Sequence, residues 1–147
     1  MVTRILVPLD GSDLSDRAMA ASLDLARQLG VPVTGFVAEP SLPSGGSLRA
    51  RALLDDAEND HDVMNEALAR SVLADFEGRA SAAGVPFDGV YRRVPRVDRA
   101  IIEAAESGGC DLIVMVTHGR GAFGEFLFGS HTKAVLAGCK LPLLVLR

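Results

Sequence analysis

The chain has 147 residues, 48% of them hydrophobic, 23% charged and 5% aromatic, with no tryptophan; this suits one domain with an aliphatic core and requires no second domain. Nineteen acidic residues against fifteen basic ones give a net charge of −4, and no basic run exceeds Arg92-Arg93, which argues against nucleic acid as the main partner. No segment approaches the roughly 20 apolar residues of a membrane span, and the apolar run near the N-terminus is too short for a secretory signal, so the expected location is cytoplasmic.

Residues 4–9, RILVPL, predict a first strand, and Asp10-Gly11-Ser12-Asp13 after it is a cluster of turn and helix-capping types. A helix is predicted next, because Leu14, Ala18, Ser22, Leu25, Ala26 and Leu29 recur at steps of three and four and Gly30 supplies a stop. Residues 31–38, VPVTGFVA, read as a second strand. Residues 39–47, EPSLPSGGS, form a linker-like segment, followed by a helical stretch to Gly84. Its first half is polar and expected to be partly disordered, with 39–60 the most mobile part of the chain; its second half carries the apolar stripe Val63, Met64, Ala67, Leu68, Val72, Leu73 and Phe76. Residues 87–94, FDGVYRRV, predict a third strand whose polar positions suit a sheet edge. A short helix over 98–106, a strand over 112–116, a helix over 130–137 and a strand over 141–146 complete the chain.

Strands alternating with helices, with nearly continuous apolar runs in the first and fourth strands, predict an α/β doubly wound sandwich: a five-stranded parallel sheet of order 3-2-1-4-5 with helices on both faces. The chain then reverses direction between the first and fourth strands, and ligands of such sheets bind at that switch point, beyond the carboxyl ends of the strands.

Two loops meet there: 8–12 after the first strand, and THGRGAFGEFLFGSHT (117–132) after the fourth. Gly119, Gly121 and Gly124 permit left-handed backbone and close approach to a ligand, while Gly129-Ser130 opens a helix whose free N–H groups, with the Ser130 and Thr132 hydroxyls, suit a phosphate. Asp10 faces the same cleft in this arrangement and can accept from sugar hydroxyls or hold a phosphate-bridging metal ion. The same residues also fit an ordinary strand-to-helix loop and a turn aspartate bonded to its own backbone. His118 and His131 have no partner at metal-ligand spacing, and His61 sits among acidic residues as a solvated helix position. Cys110 and Cys139 each precede an apolar run; they read as two small buried thiols, with redox pairing across one rim of the sheet as the sharper alternative.

The blocks ILVPLDGSDLSDRAMAASLDLA, DLIVMVTHGRG and GS…LPLLVLR, in that order, resemble the opening strand and helix, the fourth strand and loop, and the closing helix and strand of single-domain universal stress proteins. In the nucleotide-binding branch of that family the signature is Gly, two residues, Gly, nine residues, then Gly and Ser or Thr. Gly119, residues 120–128 and Gly129-Ser130 match it, but Val116 stands where the first glycine would be. The resemblance implies an ATP site in which Pro8, Leu9 and Asp10 contact adenine and ribose and Val37 packs on the base. Met115 and Val116 would line its floor, and Gly119, Gly129, Ser130, His131 and Thr132 would hold the phosphates, with Mg²⁺ at Asp10. It also implies a homodimer, a role in stress survival and no settled catalytic reaction.

The reading that results is a regulatory adenine-nucleotide-binding domain, not an enzyme, in which occupancy changes the 120–128 loop and so the surface offered to a protein partner. A nucleotide-free dimeric interaction module of the same family is the alternative, and Val116 favours it. A phosphoacceptor role for Asp10 is disfavoured, since it needs further acidic residues beside it and a lysine after the last strand, and no lysine follows residues 141–146. The dimer is expected to form through residues 141–146, LPLLVL, an apolar edge strand that a second copy would cover.

Overall fold

The computed structural model describes the backbone of residues 1–11, 14–41, 48–117 and 130–147, and the side chains of these except 48–65, 130 and 131. In chain order the elements are β1 (Ile5–Leu9), α1 (Leu14–Leu29), β2 (Val33–Pro40), α2 (Leu48–Ala83), β3 (Phe87–Val94), α3 (Val97–Ser107), β4 (Leu112–Val116), α4 (Ser130–Gly138) and β5 (Leu143–Leu146). The strands form one sheet in the order β3-β2-β1-β4-β5, parallel at every pairing, as the alternation of elements predicts. Val7 pairs with Gly35 and Ile5 with Leu112, so β1 lies at the centre between β2 and β4.

The sheet divides the core into two layers because successive strand residues face opposite sides. On one side Ile5, Val7, Val33 and Val37 pack with α1 and α2 through Met19, Leu23, Ala26, Phe76 and Ala80. On the other, Leu6, Phe36, Ile113 and Met115 pack with α3 and α4 through Ala100, Ile101, Ala104 and Val135. In the first layer Gly35 and Gly89, partners across β2 and β3, leave a flat patch under two rings. A Cβ on Gly35 would stand 2.8 Å from Phe87 Cζ and 2.9 Å from Phe76 Cδ1. The rings themselves lie 4.9 Å apart, tilted by 57°.

Polar contacts fasten the edges of this framework. The Asp111 carboxylate, just before β4, accepts from the Thr3 N–H at 2.9 Å, the Thr3 hydroxyl at 2.7 Å and the Arg4 N–H at 3.1 Å. The Thr3 backbone N–H is the main cause of a carboxyl pKa held down to about 2. Arg79 on α2 donates to Asp16 on α1 at 2.6 Å and pairs with Asp75 at 2.9 Å.

Several features differ from expectation, among them the start of the second strand, which is Val33 and not Val31. Glu39 and Pro40, read as the start of a linker, belong to β2, where they pair with Arg93 and Val94 of β3. The polar first half of α2, expected to be partly disordered, is helical in continuity with the second half. The last strand begins at Leu143, leaving Leu141 and Pro142 before it. The remainder of the segment expected to be mobile, 42–47, lies outside the described residues.

Candidate functional site

At the carboxyl edge of the sheet, where β1 and β4 part into opposite crossovers, lies a cavity of about 420 Å³. Each wall is the end of a different element, so the fold and not one local motif creates it. Pro8 and Leu9 close β1, and Asp10 follows; Phe36, Val37, Ala38, Glu39 and Pro40 are the end of β2; Met115 and Val116 close β4, with Thr117 after them. Helices supply the rest: Leu14, Ser15 and Ala18 from the first turns of α1, Val97 and Ile101 from α3, and Thr132 from α4. Gly11, with φ of 76°, takes the left-handed conformation that joins β1 to α1, and an added Cβ there would meet Val72 at 3.6 Å and Leu68 at 3.8 Å.

The volume falls within the ~300–1,000 Å³ typical of small-molecule sites, and the lining is mainly apolar with a few polar groups, as such sites require. Asp10 and Glu39 are the acidic members, and no Lys or Arg is among the described lining residues. Thr117 is fixed by its neighbour strand: its N–H donates to the Leu146 carbonyl at 2.8 Å and its hydroxyl reaches the same oxygen at 3.5 Å. Ser15 is different. It is only 7% exposed, and its hydroxyl is the one buried side-chain polar atom among the described residues with no hydrogen-bond partner. Leaving a hydroxyl in that condition costs about 1–3 kcal/mol.

The residues expected to form the site are brought together where they are described. Pro8, Leu9, Asp10, Val37, Met115, Val116 and Thr132 all line the cavity. Ser130 and His131 begin α4; their side chains, together with Gly119, Gly129, His118 and the 120–128 loop, lie outside the described residues. Among the described residues no group of three or more His, Cys, Asp or Glu side chains forms a metal-binding cluster. Residues that sequence reasoning missed include Ser15 and Ala18 on α1, Val97 and Ile101 on α3, and Glu39, which lay in the presumed linker. The end of β3 at Val94 was the available signal for Glu39, since a parallel partner of eight residues extends β2 to Pro40.

The two cysteines are free thiols in the second core layer, Cys110 buried and Cys139 partly so. Burial pushes the Cys110 thiol pKa up, against a lowering contribution from a hydrogen bond with Thr34. The Leu141 N–H donates to Cys139 Sγ at 3.4 Å.

Fold and cavity together define the class: an open, doubly wound α/β protein with a ligand-sized cleft at its topological switch point. The model of the universal stress protein family matches residues 1–147, and the chain belongs to that family. The "universal stress protein in QAH/OAS sulfhydrylase 3'region" of Thermus aquaticus is 32% identical to it over 149 residues, with 100% of both chains covered. A crystal structure of a family member from Burkholderia pseudomallei is similar with a TM-score of 0.70 at 25% identity, covering 99% of this chain and 96% of that one. A universal stress protein from Archaeoglobus fulgidus, solved in complex with dAMP, has a TM-score of 0.68 at 20% identity, with 100% of each chain covered.

Proposed function

We propose that the switch-point cavity binds an adenine nucleotide, ATP in particular, and that the protein is a cytoplasmic regulatory domain of the stress response acting through occupancy, not turnover. The observation that carries this reading is the convergence of Pro8, Leu9, Asp10, Val37, Met115, Val116 and Thr132, drawn from four separate elements and their flanks, on one cavity of about 420 Å³. The dAMP complex of the Archaeoglobus fulgidus relative supports the ligand class. The apolar walls suit a base, and the start of α4 beside Thr132 suits phosphates through its free N–H groups. Mg²⁺, where it accompanies ATP, would be held chiefly by the phosphates, with the Asp10 carboxylate after β1 beside them. The working unit is a homodimer joined through β5, presenting a nucleotide-dependent surface to a protein partner.

Freshly purified protein, denatured and analysed by mass, is expected to release an adenine nucleotide. Absence of released nucleotide, together with calorimetry showing no ATP binding to either the natural protein or Val116→Gly, would overturn the reading. That outcome would favour the nucleotide-free interaction module, for which the specific observation is the valine side chain on the cavity wall.

A further inference from the structure

The β2 wall of the cavity ends in a carboxylate that the fold does not use. Strand residues alternate between faces, so Glu39 stands on the same face of β2 as Val37 and about 7 Å further along it. Both line the cavity, and Glu39 is only partly buried, so it is open to an occupant. Among the described residues its carboxylate has no hydrogen-bond or ion-pair partner, and Arg93, its register neighbour on β3, is not one. By contrast, Asp16, Asp88 and Asp98 are each held by an arginine. A half-buried carboxylate on a ligand-sized cavity, left unbonded by the fold, is placed to accept from a donor on the ligand.

The layout of the cleft selects the part of a nucleotide to which that donor belongs. β1 lies between β2 and β4, so the ends of β2 and β4 stand about 10 Å apart across the cavity. α4 carries the chain from β4 to β5, which puts its start, with Thr132, on the β4 side. A phosphate at the start of α4 therefore leaves the sugar over β1 and the base over β2, and the negative charge of Glu39 keeps phosphate away from the β2 end. An ionised carboxylate only accepts hydrogen bonds. Adenine offers one donor group, its 6-amino group, on the edge away from the sugar; hypoxanthine has a carbonyl oxygen there. Resting on the adenine-nucleotide reading above, we propose that Glu39 is a specificity-determining residue whose carboxylate accepts a hydrogen bond from the 6-amino group of the base and selects it against a 6-oxo purine.

Calorimetry on the full chain with AMP, 2′-deoxy-AMP, inosine monophosphate and GMP tests this, for the natural protein and for Glu39→Gln. The natural protein is expected to bind AMP about 10-fold more tightly than inosine monophosphate, the low end for a hydrogen bond to a charged group because Glu39 is partly exposed. In Glu39→Gln that ratio should fall to about two or less, since a carboxamide can turn its NH₂ towards a 6-oxo group, and AMP and 2′-deoxy-AMP should weaken alike. The unliganded variant should melt at the same temperature as the natural protein, because no bond is lost. A ratio that survives in Glu39→Gln, a weakening of AMP that 2′-deoxy-AMP does not share, GMP bound more tightly than AMP, or a lower melting temperature of the unliganded variant would overturn the assignment. Equal binding of AMP and inosine monophosphate by the natural protein removes Glu39 as a discriminator but leaves the nucleotide site standing. No binding of any of the four removes both.

Discussion

Gly35 is where a single methyl group should be felt most sharply. Alanine there places Cβ 2.8 Å from Phe87 Cζ, 2.9 Å from Phe76 Cδ1 and 3.0 Å from Phe87 Cε2, all distances that require movement. Phe76 has no easy retreat, whereas Phe87 is partly buried. Phe76 is fully buried, the rings already lie 4.9 Å apart, and Phe87 is also the nearest neighbour of the space above Gly89. Overpacking of this kind costs about 1–3 kcal/mol, and loss of the glycine's freedom in the unfolded chain returns about 0.5–1 kcal/mol, for a net destabilisation of about 1–2 kcal/mol. For a chain of this size that is roughly 2–8 °C in Tm, read by differential scanning calorimetry. Gly78, inside α2 with nothing within 4 Å of an added Cβ, is the matched control; Gly78→Ala should raise stability by about 0.5–1 kcal/mol. Trimming the obstructing ring in Gly35→Ala/Phe87→Leu should make the two substitutions less than additive. An unchanged or raised Tm in Gly35→Ala would refute the reasoning, since it would mean that the ring pair yields without cost.

Val116 both lines the cavity and packs against the α1/α2 core layer. Val116→Gly should therefore lower stability by about 1–2 kcal/mol while tightening ATP binding roughly 5- to 150-fold, as calorimetry would show. Tight binding to the natural protein, unchanged by the substitution, would mean that the methyl groups belong wholly to the core. Asp111 carries a pH dependence: its carboxyl pKa, about 2 in the fold against an ordinary 3.8, is depressed, so its contribution is full above about pH 4 and is lost as pH falls towards 2. Asp111→Asn should cost about 1 kcal/mol near neutrality, a value discounted for solvent exposure, and the gap in Tm to the natural protein should close between pH 4 and 2. A gap independent of pH would show that the charge is irrelevant. On β5, Leu144 is 38% exposed on the sheet edge; Leu144→Asp should convert a dimer to a monomer by light scattering, and an unaltered mass would exclude this strand as the interface.

The architecture was legible because its signals are redundant. LIVMV can hardly be anything but a buried strand, FDGVYRRV shows its edge position in its paired arginines, and parallel connectivity leaves few orders to choose from. Of the strand-end residues that line the cavity, Pro8 and Leu9 follow from topology once the switch point is known, whereas Val37, Met115 and Val116 came with the family resemblance. The cavity residues on α1 and α3 were not legible. Ile101 has the periodic spacing of a core residue and is indeed buried, yet it is also a cavity wall, and spacing cannot separate the two roles. Ser15 reads as ordinary helix-start polarity, and only its missing hydrogen bond sets it apart. Glu39 was hidden by the prolines and glycines that follow it, whereas its structure is decided by pairing with β3, forty and more residues on.

The division of the core by the sheet gives the cavity a mechanical meaning. Leu9, Val37 and Val116 on its walls belong to the α1/α2 layer, while Phe36, Ile101 and Met115 belong to the α3/α4 layer. An occupant that touches both sets acts as a rivet through the carboxyl edge of the sheet, and its binding free energy opposes the opening of either layer. Hydrogen exchange should then slow in α1 and in α3 together when the cavity fills, although the two helices lie on opposite faces. A signal of occupancy would thus reach both faces of the molecule at once, without any hinge.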